Sequence, residues 1–205
     1  MSALANLLVA CREGNIRAVY RFKAQGQDLK EADAEGKTGL MMASVNNHLN
    51  IVKYLVRRGA IVDAADNHGL IALMAACGRC HLEVSQFLCE SGANVNAAGG
   101  SGCTALMAAC VYGHLATVRY LTEQGADLFA SLPDGRTALA IASYENHPHR
   151  NHIGVAAYLY AEGNWQRRRS FAFVLRSIKD DDTSGPALLE VLKSEDMKRE
   201  IGSLL

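Results

Sequence analysis

Residues 102–126 read GCTALMAACVYGHLATVRYLTEQGA, and this stretch decides the fold. Thr104 stands before the apolar run ALMAACV, where a hydroxyl oxygen caps the start of a helix. A short turn leads to GHLATVRYL, and Gly125 follows where a left-handed residue ends a second helix. Outward from here the pattern repeats. Gly36, Gly69, Gly102 and Gly135 are spaced by 33 residues, as are Leu40, Leu73, Leu106 and Leu139. A second glycine series, Gly26, Gly59, Gly92 and Gly125, keeps that interval, and Gly163 closes it after 38. A fixed period of this length signals a stacked repeat array.

The other blocks are GKTGLMMASVNNHLNIVKYLVRRGA, GLIALMAACGRCHLEVSQFLCESGA and GRTALAIASYENHPHRNHIGVAAYLYAEGN. NLLVACREGNIRAVYRFKAQGQ fits the same register near the N-terminus, which makes five units. Thr38 and Thr137 repeat the cap of Thr104. Leu49, Val52, Leu55 and Val56 set an apolar row at helical spacing on a second helix. DAEG, DNHG and LPDG carry turn chemistry between units. One such unit cannot bury both its faces, so stacking supplies the core.

At these residues the chain resembles the ankyrin repeat family. TALM and TGLM stand where the family has T-P-L-H, and GHLATVRYL and NHLNIVKYL where it has G-H-L-E-V-V-K-L-L. GANVNA and GADL match its G-A-D-V-N. The resemblance spans about residues 3–164, with units near 3–35, 36–68, 69–101, 102–134 and 135–164. It implies an all-α solenoid of two antiparallel helices per unit, followed by a hairpin loop projecting at right angles. The family's proline is replaced by Gly39, Ala72, Ala105 and Ala138, and its histidine by Met41, Met74, Met107 and Ala140. Thioethers thus pack where the family forms Thr–His hydrogen bonds, and a looser array is expected.

Composition narrows the function. Lys plus Arg equals Asp plus Glu, 21 each, which argues against a general nucleic-acid or membrane-surface binder. ALANLLVA is too short to span a bilayer and has no basic segment before it, so neither membrane insertion nor a secretory signal is expected. Cys11, Cys77, Cys80, Cys89, Cys103 and Cys110 are then expected as reduced thiols, and the compartment as cytoplasmic or nuclear. No Gly-rich phosphate loop, nucleophile elbow or paired carboxylates are present, and neither an enzyme nor a cofactor is expected.

CGRCH, residues 77–81, matches the C-x-x-C-H pattern of covalent haem attachment. The register assigns its parts other work. Cys77 aligns with Cys11, Ser44, Cys110 and Ser143, all small, at a close helix approach. His81 aligns with His48, His114 and His152 at the start of second helices. Such a ladder holds its members a helix spacing of about 8–10 Å apart, too far to share one zinc ion. Cys80 aligns with Gly14, Asn47, Gly113 and Asn151, where positive φ is favoured and a cysteine is out of place. A metal or redox protein is thus the competing reading, and the weaker one. In the fifth unit His147, His149 and His152 flank Pro148 in a five-residue insertion. They are a candidate zinc or pH-responsive cluster, with a solvated turn extension as the simpler alternative.

Residues 165–205 break the period. Phe171, Val174, Leu175 and Ile178 form a helical stripe behind Trp165, and Pro186 and Ser194 open two further helices. A helical cap on the array is expected, with a second docking element as the alternative. The family resemblance implies binding through hairpin tips and the inner face of the first helices. The matching positions are Glu35, Lys37, Val45 and Asn46; Asn67, His68, Leu70 and Arg79; Ser101, Cys103, Val111 and Tyr112; Asp134, Arg136, Tyr144 and Glu145. Leu70, Val111, Tyr112 and Tyr144 are apolar or aromatic where polar residues prevail, and no packing task is assigned to them. A protein partner is expected there, either for a free adaptor or for a fixed subunit of a larger assembly.

Overall fold

A computed structural model describes residues 3–144 and 152–164, with the side chains of 3–5 and 144 outside that description. The chain divides into Met1–Tyr160 and Ala161–Leu205. The first unit holds helices α1 (Ala3–Glu13), α2 (Ile16–Ala24), α3 (Gly39–Val45), α4 (Leu49–Arg57), α5 (Ala72–Cys77), α6 (Leu82–Glu90), α7 (Ala105–Val111), α8 (Leu115–Glu123) and α9 (Ala138–Tyr144). A tenth helix, α10, starts at residue 152 and runs through residue 160. Of the second unit, residues 161–164 are described and are helical. The expected tail helices, with Trp165 and Phe171, lie outside the described residues, as do His147, His149 and Glu145.

Paired helices are the architecture, as the repeat predicts. Thr38 and Thr104 sit extended and accept N–H bonds from Met41 and Met107 on their Oγ1 atoms at 3.3 Å. Thr137 does the same for Ala140 at 3.3 Å. The third unit has Ile71 here, which caps with no hydrogen bond and is buried instead. On the second helices Val52, Leu55, Val84, Leu88, Val118 and Leu121 are wholly buried, so the 3.6-residue stripe faces the stack. Met41, Met74 and Met107 are buried on the first helices. Among the described residues β structure is limited to isolated bridges, Ala32 to Thr38, Ala98 to Thr104 and Ser131 to Thr137, which close the hairpin loops.

In the first four units the helix pair turns through a left-handed residue. His48, His81 and His114 donate their amides to Ala43, Ala76 and Ala109 carbonyls at 2.9, 3.1 and 3.0 Å. These six-residue closures require positive φ just before the histidine. Gly14, Asn47, Cys80 and Gly113 supply it, with φ of 75°, 60°, 62° and 71°. Cys80 is the residue for which that conformation is most costly. Replacing it with glycine is expected to raise stability by up to about 1 kcal/mol, seen as a higher melting temperature. A lower one would show that the cysteine side chain is itself needed.

Stacking is lopsided. First helices of neighbouring units are in closer contact than second helices are, α1 with α3, α3 with α5, α5 with α7 and α7 with α9. Small side chains allow this, since Ala43, Ala76, Ala109 and Ala142 are all buried. The second helices carry bulkier rows and stand further apart. Close approach on one side and spreading on the other bends the array, with the first helices inside the curve.

Candidate functional site

The inner side of that curve meets the hairpin tips, and the tips are tied both within and between units. The Asp33 carboxylate accepts the Glu35 and Lys37 amides at 2.9 Å. Asp66, nearly buried, accepts those of His68 and Leu70 at 2.9 Å. Across units, Asn67 donates its amide to the Glu35 carbonyl at 2.9 Å and Gly100 donates to His68 at 2.8 Å. The first three tips are therefore joined into a rim, a preorganised surface with little entropy left to lose on binding.

The sequence-predicted residues fall along this groove in two groups. Cys103, Val111 and Arg136 come together around a pocket of about 480 Å³ between the third and fourth tips. Ser101 and Asp134, also expected from the resemblance, line it too. Lys37, Val45, His68, Leu70 and Arg79 lie towards earlier units and do not enter that pocket. Tyr144 is helical, and its side chain lies outside the described residues. Leu132, Pro133 and Ile141 complete the pocket and were missed. The only signal for them was LPDG, read as turn chemistry alone, with no hint that it would wall a cavity.

Two expectations need correction. Val111 has packing work: it is half-buried against the core, and its carbonyl lies 3.1 Å from His152 Nε2. Tyr112 also has neighbours. It is 41% exposed, its ring stacks on His114 at 5.8 Å, and it lies where a side chain on Gly78 would meet it. The ring is thus held between two units with one face open, whereas the sequence suggested an idle side chain. Leu70 is 37% exposed, as expected.

Charge in the groove is locally compensated. Lys37 pairs with Glu35, which pushes the lysine pKa up through a hydrogen bond and charge attraction. Arg136 holds Asp134 at 2.7 Å, and the Arg136 backbone and side-chain bonds hold that carboxyl below its ordinary range. Lys37 and Arg136 are each paired with an acid two residues away, while Asp33 and Asp66 direct their carboxylates to backbone amides.

CGRCH is accounted for by packing. Cys77 is wholly buried, and its Sγ donates to Ser85 Oγ at 3.4 Å. Burial pushes its thiol up to about 12, and those of Cys11 and Cys110 likewise. His81 Nε2 lies 2.9 Å from the Val45 carbonyl, as His48 Nε2 does from that of Arg12. His152 Nε2 repeats this against the Val111 carbonyl at 3.1 Å, so it is also a member of the ladder. Among the described residues no group of three or more His, Cys, Asp or Glu is placed to hold a metal ion. A thiol reagent at pH 8 is expected to modify exposed Cys80 fast and Cys11, Cys77 and Cys110 only on unfolding. Rapid loss of four or more free thiols from the folded protein, counted by absorbance, would contradict this burial.

Comparison with known proteins agrees with the geometry. The family described as ankyrin repeats in three copies matches residues 7–99 and 95–167. A palmitoyltransferase, AKR1 of Candida glabrata, is 45% identical over 53 residues, covering 25% of this chain and 7% of its own. The mitochondrial liver isoform of glutaminase is 32% identical over 53 residues in both Mus musculus and Rattus norvegicus, 26% of this chain and 9% of theirs. The chain thus spans less than a tenth of the length of these curated relatives. Among the described residues no helix is long and apolar enough to cross a membrane. With capped first helices, left-handed turns, bridged hairpins and a family match that overlaps across almost the whole array, this chain belongs to the ankyrin-repeat family.

Proposed function

We propose that the chain is a non-catalytic interaction module that binds a protein partner through its inner groove and hairpin tips. Ankyrin repeats are in general protein-interaction modules, and the groove here has the makings of such a site. The pocket bordered by Cys103, Val111 and Arg136, with the half-open Tyr112 ring nearby in sequence, carries the reading. Interface anchors of this kind combine a rigid aromatic surface with an apolar recess and a polar rim. The partner's contribution at the recess is an uncharged side chain, because Arg136 already has its carboxylate. Reduced, separated thiols suit a cytoplasmic or nuclear setting, and we place the partner there.

The test is affinity for a partner captured from native extract, measured for the wild type and two variants. Tyr112→Ala removes the open ring, and Val111→Asp puts a charge into the recess. Each is expected to weaken binding at least tenfold. Tyr112→Ala should also lower the melting temperature slightly, since the ring touches the preceding unit. Unchanged affinity in both variants would move the binding surface away from the groove.

A further inference from the structure

The outer side of the array carries a charge pattern that the groove does not use. Helices α2 and α4, IRAVYRFKA and LNIVKYLVR, contain five cations and no acid, and Arg58 follows as the C-cap of α4. Arg17, Arg21, Arg57 and Arg58 are exposed. None of these cations forms an ion pair among the described residues, in contrast to Lys37 and Arg136 on the rim. Helix-dipole stabilisation explains a cation at the end of α4, but Arg17 lies in the first turn of α2, where the dipole disfavours it. Arg17 with Arg21, and Lys53 with Arg57, are like charges four residues apart, a spacing that costs helix stability. Tyr20, half exposed, meets Tyr54 edge to face at 4.6 Å and joins the two helices into one surface. Arg58 lies over the Tyr54 ring at 5.2 Å.

We infer that this ridge is a second docking surface, and that its partner is a protein segment rich in Asp and Glu. Four helical residues rise about 6 Å, close to the spacing of alternate residues in an extended chain, about 7 Å. An acidic segment with carboxylates at every second position therefore matches Arg17 and Arg21, or Lys53 and Arg57, along one helix. The second helix offers a parallel row about 10 Å away. A nucleic acid fits less well, because it needs a continuing cationic track. Along the ridge α6 brings only acids, Glu83 and Glu90, and α8 offsets its one cation, Arg119, with Glu123. The ridge is independent of the groove, so either site can fail alone.

The test is fluorescence anisotropy of the full chain with a labelled peptide of alternating glutamates. Its glutamine counterpart, a single-stranded oligonucleotide and phosphatidylserine vesicles serve as the other arms. The glutamate peptide is expected to bind at low salt and to be released as salt shortens the screening length, and the glutamine peptide not to bind. The triple variant Arg17→Gln, Arg21→Gln, Arg57→Gln should bind at least tenfold more weakly. Its melting temperature should hold or rise, because like-charge neighbours are removed. Arg119→Gln on α8 should bind as the wild type does. If the triple variant fails to fold, the double variant Arg21→Gln, Arg57→Gln, with one change on each helix, reads the same loss. Equal binding by variant and wild type, or no binding of the glutamate peptide, overturns the inference. So does an oligonucleotide or vesicle that binds as tightly as the peptide, since the ridge then serves another polyanion.

Discussion

Leu73→Ala is expected to cost about 2–5 kcal/mol and to split the unfolding of the array into two steps. Leu73 is wholly buried in α5, the first helix of the middle unit. Truncation removes the transfer energy of three carbons and leaves a cavity that neighbouring alanines are too small to fill. In a stacked array each unit is stabilised by its neighbours alone, so a weak middle unit uncouples the two ends. Chemical denaturation followed by circular dichroism should show a lower first midpoint and a broadened or biphasic curve. Leu139→Ala is the comparison. Leu139, the equivalent one period from Leu106, is only partly buried and lines a pocket of about 500 Å³ with Ile153 and Tyr160. Its loss should be clearly smaller, near 1 kcal/mol. Equal losses at the two positions would mean that burial in the stack does not set the cost.

Gly69→Ala is expected to cost about 2–4 kcal/mol, against about 1–2 kcal/mol for Gly92→Ala. Both glycines are left-handed, with φ of 74° and 90°. A Cβ on Gly92 meets nothing within 4 Å, so that substitution isolates the backbone term. A Cβ on Gly69 would run into the amide nitrogen of Gly100 and approach Gly99 C at 2.9 Å, both of them backbone. The tip of the next unit must then move, and the 2.8 Å bond from Gly100 to His68 is lost with it. The difference between the two melting curves measures how tightly the rim is joined from unit to unit. Gly69→Ala should also weaken groove binding, because His68 and Leu70 flank the displaced turn.

What could be read in advance was whatever depends on neighbours in sequence. The Thr38, Thr104 and Thr137 caps are each specified within a few residues, and the 33-residue interval carries the left-handed turn from Gly14, Asn47 and Gly113 to Cys80. The task of His81 is legible too, once its register with His48 is known. The groove was legible only as a set of positions. The recess near Val111 is closed by Leu132, Pro133 and Ile141, which come from other segments and are brought there by stacking. Whether an inner-helix residue is idle or engaged depends on the unit before it. Glycine at 78 leaves the space beside Tyr112 open, and no pattern within one repeat shows that. The cationic ridge was hidden by averaging, since the overall balance of 21 to 21 conceals nine cations against five acids in residues 1–60 and four against eight in residues 61–150.

The ladder of ring nitrogens on carbonyls has one more consequence. Its links join Arg12 to His48 and Val45 to His81, 36 residues apart in each case, but Val111 to His152 over 41. The clasp is measured through space from one unit to the next, and it tolerates extra chain in between. With five more residues in the sequence between them, the last imidazole still reaches its carbonyl. The turn joining the two helices of a unit is thus a place where chain length is free to drift, and a peptide tag or a metal-binding loop grafted there would leave the pitch of the stack unaltered.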